Sequence, residues 1–365
     1  MSSKILFAPM AFSRYEATQT LPEKFARLLK KSGLAENVAK KTVAIKMHVG
    51  SGVSYSTIPP VFVRKLVSFL QEHGADCFIV DHYVHGRHPE HWGYTESNLG
   101  CPILEACGHL GKYYYTKPVS FRTFRHVDVA GLIHDADMMI DFSHVKGHGA
   151  CGYGGACKNI AMGCVTDRTR REIHGLEGGL AWDAATCTHC GKCIQSCNHN
   201  ANSFTGPGNT GEYRVFYHHC TLCQHCVKVC PTGSISLDAH DYGDFQTGMA
   251  LCTKAVLDTF SPGSVYYINM LVSITALCDC WGLTTPSLVP DIGILAGEDL
   301  VAIERASLDA IRTEDLIPVG LPKGLALSGE GHLFRQIHGK DPFGQLDELE
   351  KVGLGSQAYE LVTVR

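Results

Sequence analysis

Apolar residues in the first third of the chain fall into short runs that alternate with segments of helical period. Lys4-Ile-Leu-Phe-Ala8 and Val43-Ala-Ile-Lys-Met47 read as strands, and Cys77-Phe-Ile-Val80 as a buried strand ending at Asp81. Between them the 3.6-residue period predicts helices over Leu21–Lys31 and Val61–His73, the second stopped by Gly74. Alternation of this length implies parallel strands joined by crossover helices. Met138-Met-Ile-Asp-Phe142 adds a further core strand.

The same pattern returns late in the chain. A helix is predicted across Gly248–Thr259, strands at Val265–Asn269 and Ile292–Leu295, a helix across Leu300–Ile311 and a last strand at Tyr359–Val364. The stretch between is of another kind. Residues 187–230 hold eight cysteines and few aliphatic side chains, so they cannot bury an ordinary apolar core. The fold class read from this pattern is α/β, a mostly parallel sheet core interrupted by a small ferredoxin-like α+β insert. The α/β domain takes residues 1–181 and 241–365, and the insert residues 182–240.

Composition narrows the function. The 365 residues are 45% hydrophobic with a formal charge of −4, which excludes a disordered chain and gives no basic face for nucleic acid. No run approaches the roughly 18 apolar residues of a membrane helix. The opening Met1-Ser-Ser-Lys-Ile lacks the pattern of a signal peptide, so a cytoplasmic protein with no membrane partner is expected. Seventeen cysteines, an odd number, cannot all pair, and a chain this long needs no disulfide staples. Thiolate ligation of metal in a reducing compartment is the better reading.

Spacing sharpens it. Cys187-x2-Cys190-x2-Cys193-x3-Cys197 is followed by Cys220-x2-Cys223-x2-Cys226-x3-Cys230-Pro231, the bacterial ferredoxin run written twice. In such a run three thiolates bind one cube and the fourth reaches the other. The expected ligands are Cys187, Cys190, Cys193 and Cys230 for one 4Fe–4S cluster, and Cys220, Cys223, Cys226 and Cys197 for the second. Zinc competes for paired C-x2-C, but a zinc ribbon has no use for the third and fourth cysteines. Asn198 stands where the second run carries proline.

The chain resembles a group of iron–sulfur proteins called domain of unknown function 362. The resemblance is carried by Ser143-His-Val-Lys-Gly-His-Gly149, Gly154-Gly-Ala-Cys-Lys-Asn-Ile-Ala-Met-Gly163, the doubled cysteine motif, Cys278-Asp-Cys280, Pro290-Asp-Ile-Gly-Ile-Leu295 and Asp299-Leu-Val-Ala302. It implies an α/β domain with an inserted two-cluster module and no particular reaction.

Other residues are candidates for a second site. His144, Lys146, His148 and Lys158 surround a glycine-rich stretch, Gly147 to Gly163, expected to be a tight loop at a strand end leading into a short helix. Strand carboxyl ends are where open α/β sheets bind ligands, and glycines with lysines suit an anion. The bland alternative is a packing loop that lets the insert approach. His144, Lys146 and His148 are the candidate catalytic residues. Lys158, with Lys46 and His48 after the second strand, would bind a substrate or cofactor. Asp81, His82, His85, His88 and His91 recur at a spacing that could present a metal site, although Gly86 and Pro89 argue for a loop. Cys278 and Cys280 could chelate, act in redox chemistry or be a buried pair. Cys151, Cys157 and Cys164 could ligate a third metal.

Beyond a structural use, in which the clusters merely staple the insert, two functions are open at this point. In one, an oxidoreductase passes electrons through two clusters to the glycine-rich site, served by a redox partner protein and acting on a small molecule. In the other, a non-catalytic electron carrier or docking module serves a redox enzyme.

Overall fold

Eight strands pair into one sheet in the computed structural model of the chain, which describes residues 2–52, 55–82, 88–197, 200–216, 220, 225–238, 242–321, 327 and 329–364. In chain order they are β1 (Ser3–Pro9), β2 (Thr42–Lys46), β3 (Asp76–Asp81), β4 (Ile103–Glu105), β5 (Met138–His144), β6 (Val265–Leu271), β7 (Gly293–Gly297) and β8 (Tyr359–Thr363). Their order across the sheet is β8-β1-β7-β6-β5-β2-β3-β4. Only β7 runs against its neighbours, so the sheet is mostly parallel.

Helices cover both faces, which explains the nearly unbroken apolar runs in the central strands. Val43, Ile45, Met138, Ile140 and Phe142 join one buried cluster with residues of α1 (Leu21–Lys31) and α2 (Pro60–Glu72). There the Phe25 and Phe142 rings stack 5.8 Å apart. The alternating residues Ala44 and Met139 belong to the opposite cluster. That cluster includes α3 (Ala156–Gly163), α4 (Tyr242–Leu257) and α5 (Leu300–Asp309). Period-two alternation places Lys46 and Asp141 on this second face, polar residues among apolar ones.

Three features depart from the sequence reading. The fourth helix starts at Tyr242, six residues before the predicted Gly248. A long hairpin, Tyr114–Phe121 with Phe124–Ala130, was not foreseen. The glycine-rich stretch is not simply a loop: Lys146–His148 pairs antiparallel with Gly152–Gly154, and all six residues are buried. A Cβ on Gly147 would strike the Ala276 carbonyl, so the glycine admits a neighbouring segment of the α/β fold at that point.

The cysteine-rich segment leaves and rejoins the chain through a small ribbon, Gly179–Trp182 paired with Ile235–Asp238. A second ribbon pairs Asn202–Phe204 with Tyr213–Val215, and short helices cover Lys192–Gln195 and His225–Lys228. Cys193, Tyr213, Cys226 and Ile235 form an apolar cluster of their own. The whole segment lies within the connection from β5 to β6. No helix among the described residues is long and apolar enough to cross a membrane.

Candidate functional site

Lys46, Asp81 and His144 are the last residues of β2, β3 and β5, three adjacent parallel strands. Their carboxyl ends open onto a partly open cavity of about 40 Å³. That is several times the ~10–15 Å³ one water requires. Strands supply Lys46 and Asp81, the short glycine pair supplies Lys146, and α3 supplies Lys158 and Asn159. His48, Arg170, Cys278 and Cys280 complete the polar lining.

One wall is an ionic network. Lys46 Nζ lies 3.0 Å from Asp81 Oδ1 and donates to Asn159 Oδ1 at 2.5 Å. Asp81 also receives the His82 and Val49 backbone N–H groups, at 2.9 and 3.3 Å, and faces His48 Nδ1 at 3.3 Å. Asn159 returns its amide to the Lys46 carbonyl at 3.1 Å and to Asp141 Oδ2 at 3.2 Å. Burial pushes the Asp141 carboxyl up to about 8, against the Ser143 hydroxyl and the Lys46 charge. Glu304 fixes the start of α3 by accepting the Ala156 N–H at 2.7 Å.

The opposite wall is the turn Asp279–Trp281. Asp279 accepts the Ser56 hydroxyl at 2.5 Å and faces His144 Nδ1 at 3.4 Å. Burial opposes its charge, but the His144 hydrogen bond and the charges of His144, Lys146 and His48 hold the carboxyl well below its usual range. His144 Nε2 donates to the Val272 carbonyl at 2.8 Å, and Lys146 Nζ to the His144 carbonyl at 2.7 Å. Cys278 is pulled far below an ordinary thiol by the hydrogen bond from Cys280, against burial and with Lys146 and Lys158 nearby. Cys280, the proton's holder, is raised. Burial works against the Lys158 ammonium, yet the sulfurs of Cys280, Cys278 and Cys151 raise it above its ordinary value.

The structure therefore gathers the six residues singled out beside the strands, in two layers. Lys46, His48, Lys146 and Lys158 line the cavity, while His144 and His148 stand behind it, against Asp279 and Cys280. Burial, with Lys158 next, keeps His148 neutral, so it is not an imidazolium at neutral pH. Arg170 escaped the sequence reading, Asn159 entered it only within the glycine-rich motif, and Asp81 only as a strand end and within the histidine run. That run does not converge on one point. Asp81 turns to Lys46 and His82 Nε2 to Asp167 at 3.0 Å, while exposed His88 and His91, stacked on each other, keep with Glu90 a set of ligand atoms within 4.8 Å of one another that could hold a metal ion. His85 lies outside the described residues. Cys151, Cys157 and Cys164 join no three-residue ligand group among the described residues; Cys157 packs on Thr253 and Cys151 donates to the Tyr153 carbonyl.

The cysteine-rich segment offers a second candidate centre. Cys193 and Cys226 are buried, Cys187, Cys197 and Cys230 half-buried, and Cys223 lies outside the described residues. Several sulfurs already accept hydrogen bonds: Cys187 from the His189 N–H at 3.4 Å, Cys197 from the Ala201 N–H at 3.2 Å, and Cys230 beside the Ser234 hydroxyl at 3.2 Å. The Trp182 indole nitrogen is shut off from solvent with no hydrogen-bond partner among the described residues. Thiolates with donors aimed at them, in a small apolar shell, fit a metal–sulfur centre.

No curated protein matches the chain in sequence. Two solved structures resemble it at low identity. A Thermotoga maritima protein is 11% identical, with 70% of this chain and 52% of that one covered and a TM-score of 0.36. Lactate racemase apoprotein from Thermoanaerobacterium thermosaccharolyticum is 10% identical, with 74% and 51% covered and a TM-score of 0.33. The chain spans about half the length of each. The family model described as Domain of unknown function (DUF362) matches residues 43–309, a span that takes in the cavity and the cysteine-rich segment. The chain belongs to the DUF362 family.

Proposed function

We propose that this chain is an iron–sulfur oxidoreductase with two 4Fe–4S clusters and a substrate or cofactor site for a small anion in the lysine-lined cavity. Cys187, Cys190, Cys193 and Cys230 hold one cluster; Cys220, Cys223, Cys226 and Cys197 hold the other. The observation that carries the reading is the gathering of Lys46, Lys146 and Lys158 around one cavity in a chain with ferredoxin cysteine spacing. The clusters supply electrons one at a time, exchanged with a redox partner protein. Everything else falls to the chain's own side chains.

Lys146 and Lys158 attract and orient the anion, and their charges act strongly where little water competes. Lys46 is committed to Asp81 and Asn159, so it shapes the wall and fixes the carboxylate. Asp81 in turn faces His48 Nδ1 at 3.3 Å and orients the imidazole, which can give or take a proton beside the bound anion.

Protein purified without oxygen should contain about eight irons and eight acid-labile sulfides per chain. Its dithionite-bleached absorbance should recover when a reactive member of a panel of small carboxylates and oxyanions is added. Lys158→Ala should keep the iron and slow that recovery at least about tenfold, the scale of one lost ion contact. Stoichiometric zinc without sulfide, or recovery indifferent to Lys158→Ala, overturns the proposal.

A further inference from the structure

Cys278 and Cys280 sit on one short turn that the Cys278 side chain caps. That sulfur accepts the Cys280 N–H at 3.4 Å, and both cysteines line the cavity. Behind them His148 Nε2 lies 3.6 Å from the Cys280 sulfur, and one ligand atom from each of the three residues lies within 4.8 Å of the others. Asp279 anchors the turn between them through Ser56 and His144.

Two sulfurs and an imidazole at this separation invite a metal. A tetrahedral ion with bonds of about 2.3 Å to sulfur and about 2.0 Å to nitrogen spaces those atoms by about 3.6 Å. The hydrogen bonds of His148 argue otherwise. Its Nδ1 accepts the Ala150 N–H at 3.1 Å, and a neutral ring that accepts there carries its proton on Nε2. Nε2 is the atom facing Cys280, so the lone pair a metal needs is occupied, and the usual outward donor of a metal-bound histidine is missing. Lys146 and Lys158 also set positive charge beside the sulfurs, which repels a cation and favours thiolate.

We propose that Cys278 and Cys280 form a redox-active dithiol in the cavity wall, where electrons meet the bound anion. Oxidation joins the two sulfurs, releases two electrons and frees the one proton that Cys280 carries, Cys278 being already a thiolate. Reduction takes two electrons and returns one proton to Cys280. The electrons pass singly to and from the clusters proposed above; this destination rests on the oxidoreductase reading, while the chemistry of the pair does not. The His148 Nε2–H steadies Cys280 when it is deprotonated, and the two lysines steady Cys278.

The test equilibrates the anaerobic holoprotein in mixtures of oxidised and reduced dithiothreitol, then quenches with acid, alkylates and digests with trypsin. The segment from Ala255 to Arg305 contains these two cysteines and no others. It should convert between a doubly alkylated form and an unalkylated disulfide, the latter about 2 Da lighter than the free dithiol. Cys278→Ser and Cys280→Ser should each abolish the disulfide form. Lys158→Met should shift the equilibrium at least about threefold towards disulfide, because a thiolate deprived of its counter-charge is less stable. Iron and sulfide are assayed on the same samples. A pair that cycles in protein without iron keeps the dithiol and removes the clusters. A segment doubly alkylated across the whole oxidising range overturns the dithiol, as does one metal ion per chain that Cys278→Ser and Cys280→Ser each release, or an equilibrium indifferent to Lys158→Met.

Discussion

Gly163 closes α3 directly against Lys46: a Cβ added there would occupy the space of the lysine's Cε and Nζ and crowd Asp81 Oδ1. The last residue of the helix is thus the complement of the last residue of β2. Because Nζ is held by Asp81 and Asn159, it has no slack with which to move aside.

Gly163→Ala should therefore destabilise the protein by about 1–3 kcal/mol, the usual result of overpacking, although alanine is otherwise the better helix residue. Combined with Lys46→Ala, the loss should fall short of the two single effects added together. Urea unfolding of the four proteins in the cycle measures this. Strict additivity would mean that the two residues do not share the space.

Removing the lysine alone should be worse. Lys46→Met strands Asp81, only 3% exposed, without its cation. Breaking a buried pair from one side costs about 3–5 kcal/mol, and Lys46→Met with Asp81→Asn should recover part of it. Iron content should not change in either variant. A loss below about 1 kcal/mol would equate the pair with a surface one.

Asp141 gives the fold a pH dependence of defined sign. Its carboxyl rises from an ordinary value of 3.8 to about 8 in the folded chain, so folding favours the protonated form. That contribution is complete below about pH 4 and is lost as pH rises through 8. Melting temperature should fall from pH 5 to 9 by an amount worth on the order of 4 kcal/mol. Asp141→Asn should flatten the fall. Parallel profiles for the two proteins would assign the slope to other groups.

Iron chelation should act on one region. Amide exchange should speed up first in the ribbon Gly179–Trp182 and Ile235–Asp238, while β5 and β6 stay protected, because the sheet has apolar cover of its own. Simultaneous loss of protection in both would show one cooperative unit.

The central strands were legible because burial on both faces leaves apolar runs in β2, β3 and β5. The direction of β7 was not, since a buried strand shows the same run whichever way it points. The hairpin Tyr114–Phe121 with Phe124–Ala130 escaped because its first strand is largely exposed and its turn holds neither glycine nor asparagine. In the cavity, Lys46, Lys146 and Lys158 could be picked out by strand ends and neighbouring glycines. Arg170 carries no such mark, and nothing local says that Cys278 meets Lys146 across 132 positions. The ligand roles of the eight cysteines still rest on spacing and on donors aimed at the sulfurs.

Phe142 and Ile268 are register partners on neighbouring central strands, yet 126 residues separate them along the chain. Thermodynamically this matters little, since doubling a loop adds only about 0.6 kcal/mol of closure entropy. For a chain being synthesised it matters in time. At ~5–20 residues per second, β5 waits roughly 6–25 s before β6 exists to pair with it. Within that interval all eight cysteines of the doubled motif emerge, ahead of the strand that completes the centre of the sheet. On the two-cluster proposal, delivery of iron and sulfide can thus begin on a nascent chain whose largest sheet is still in two pieces.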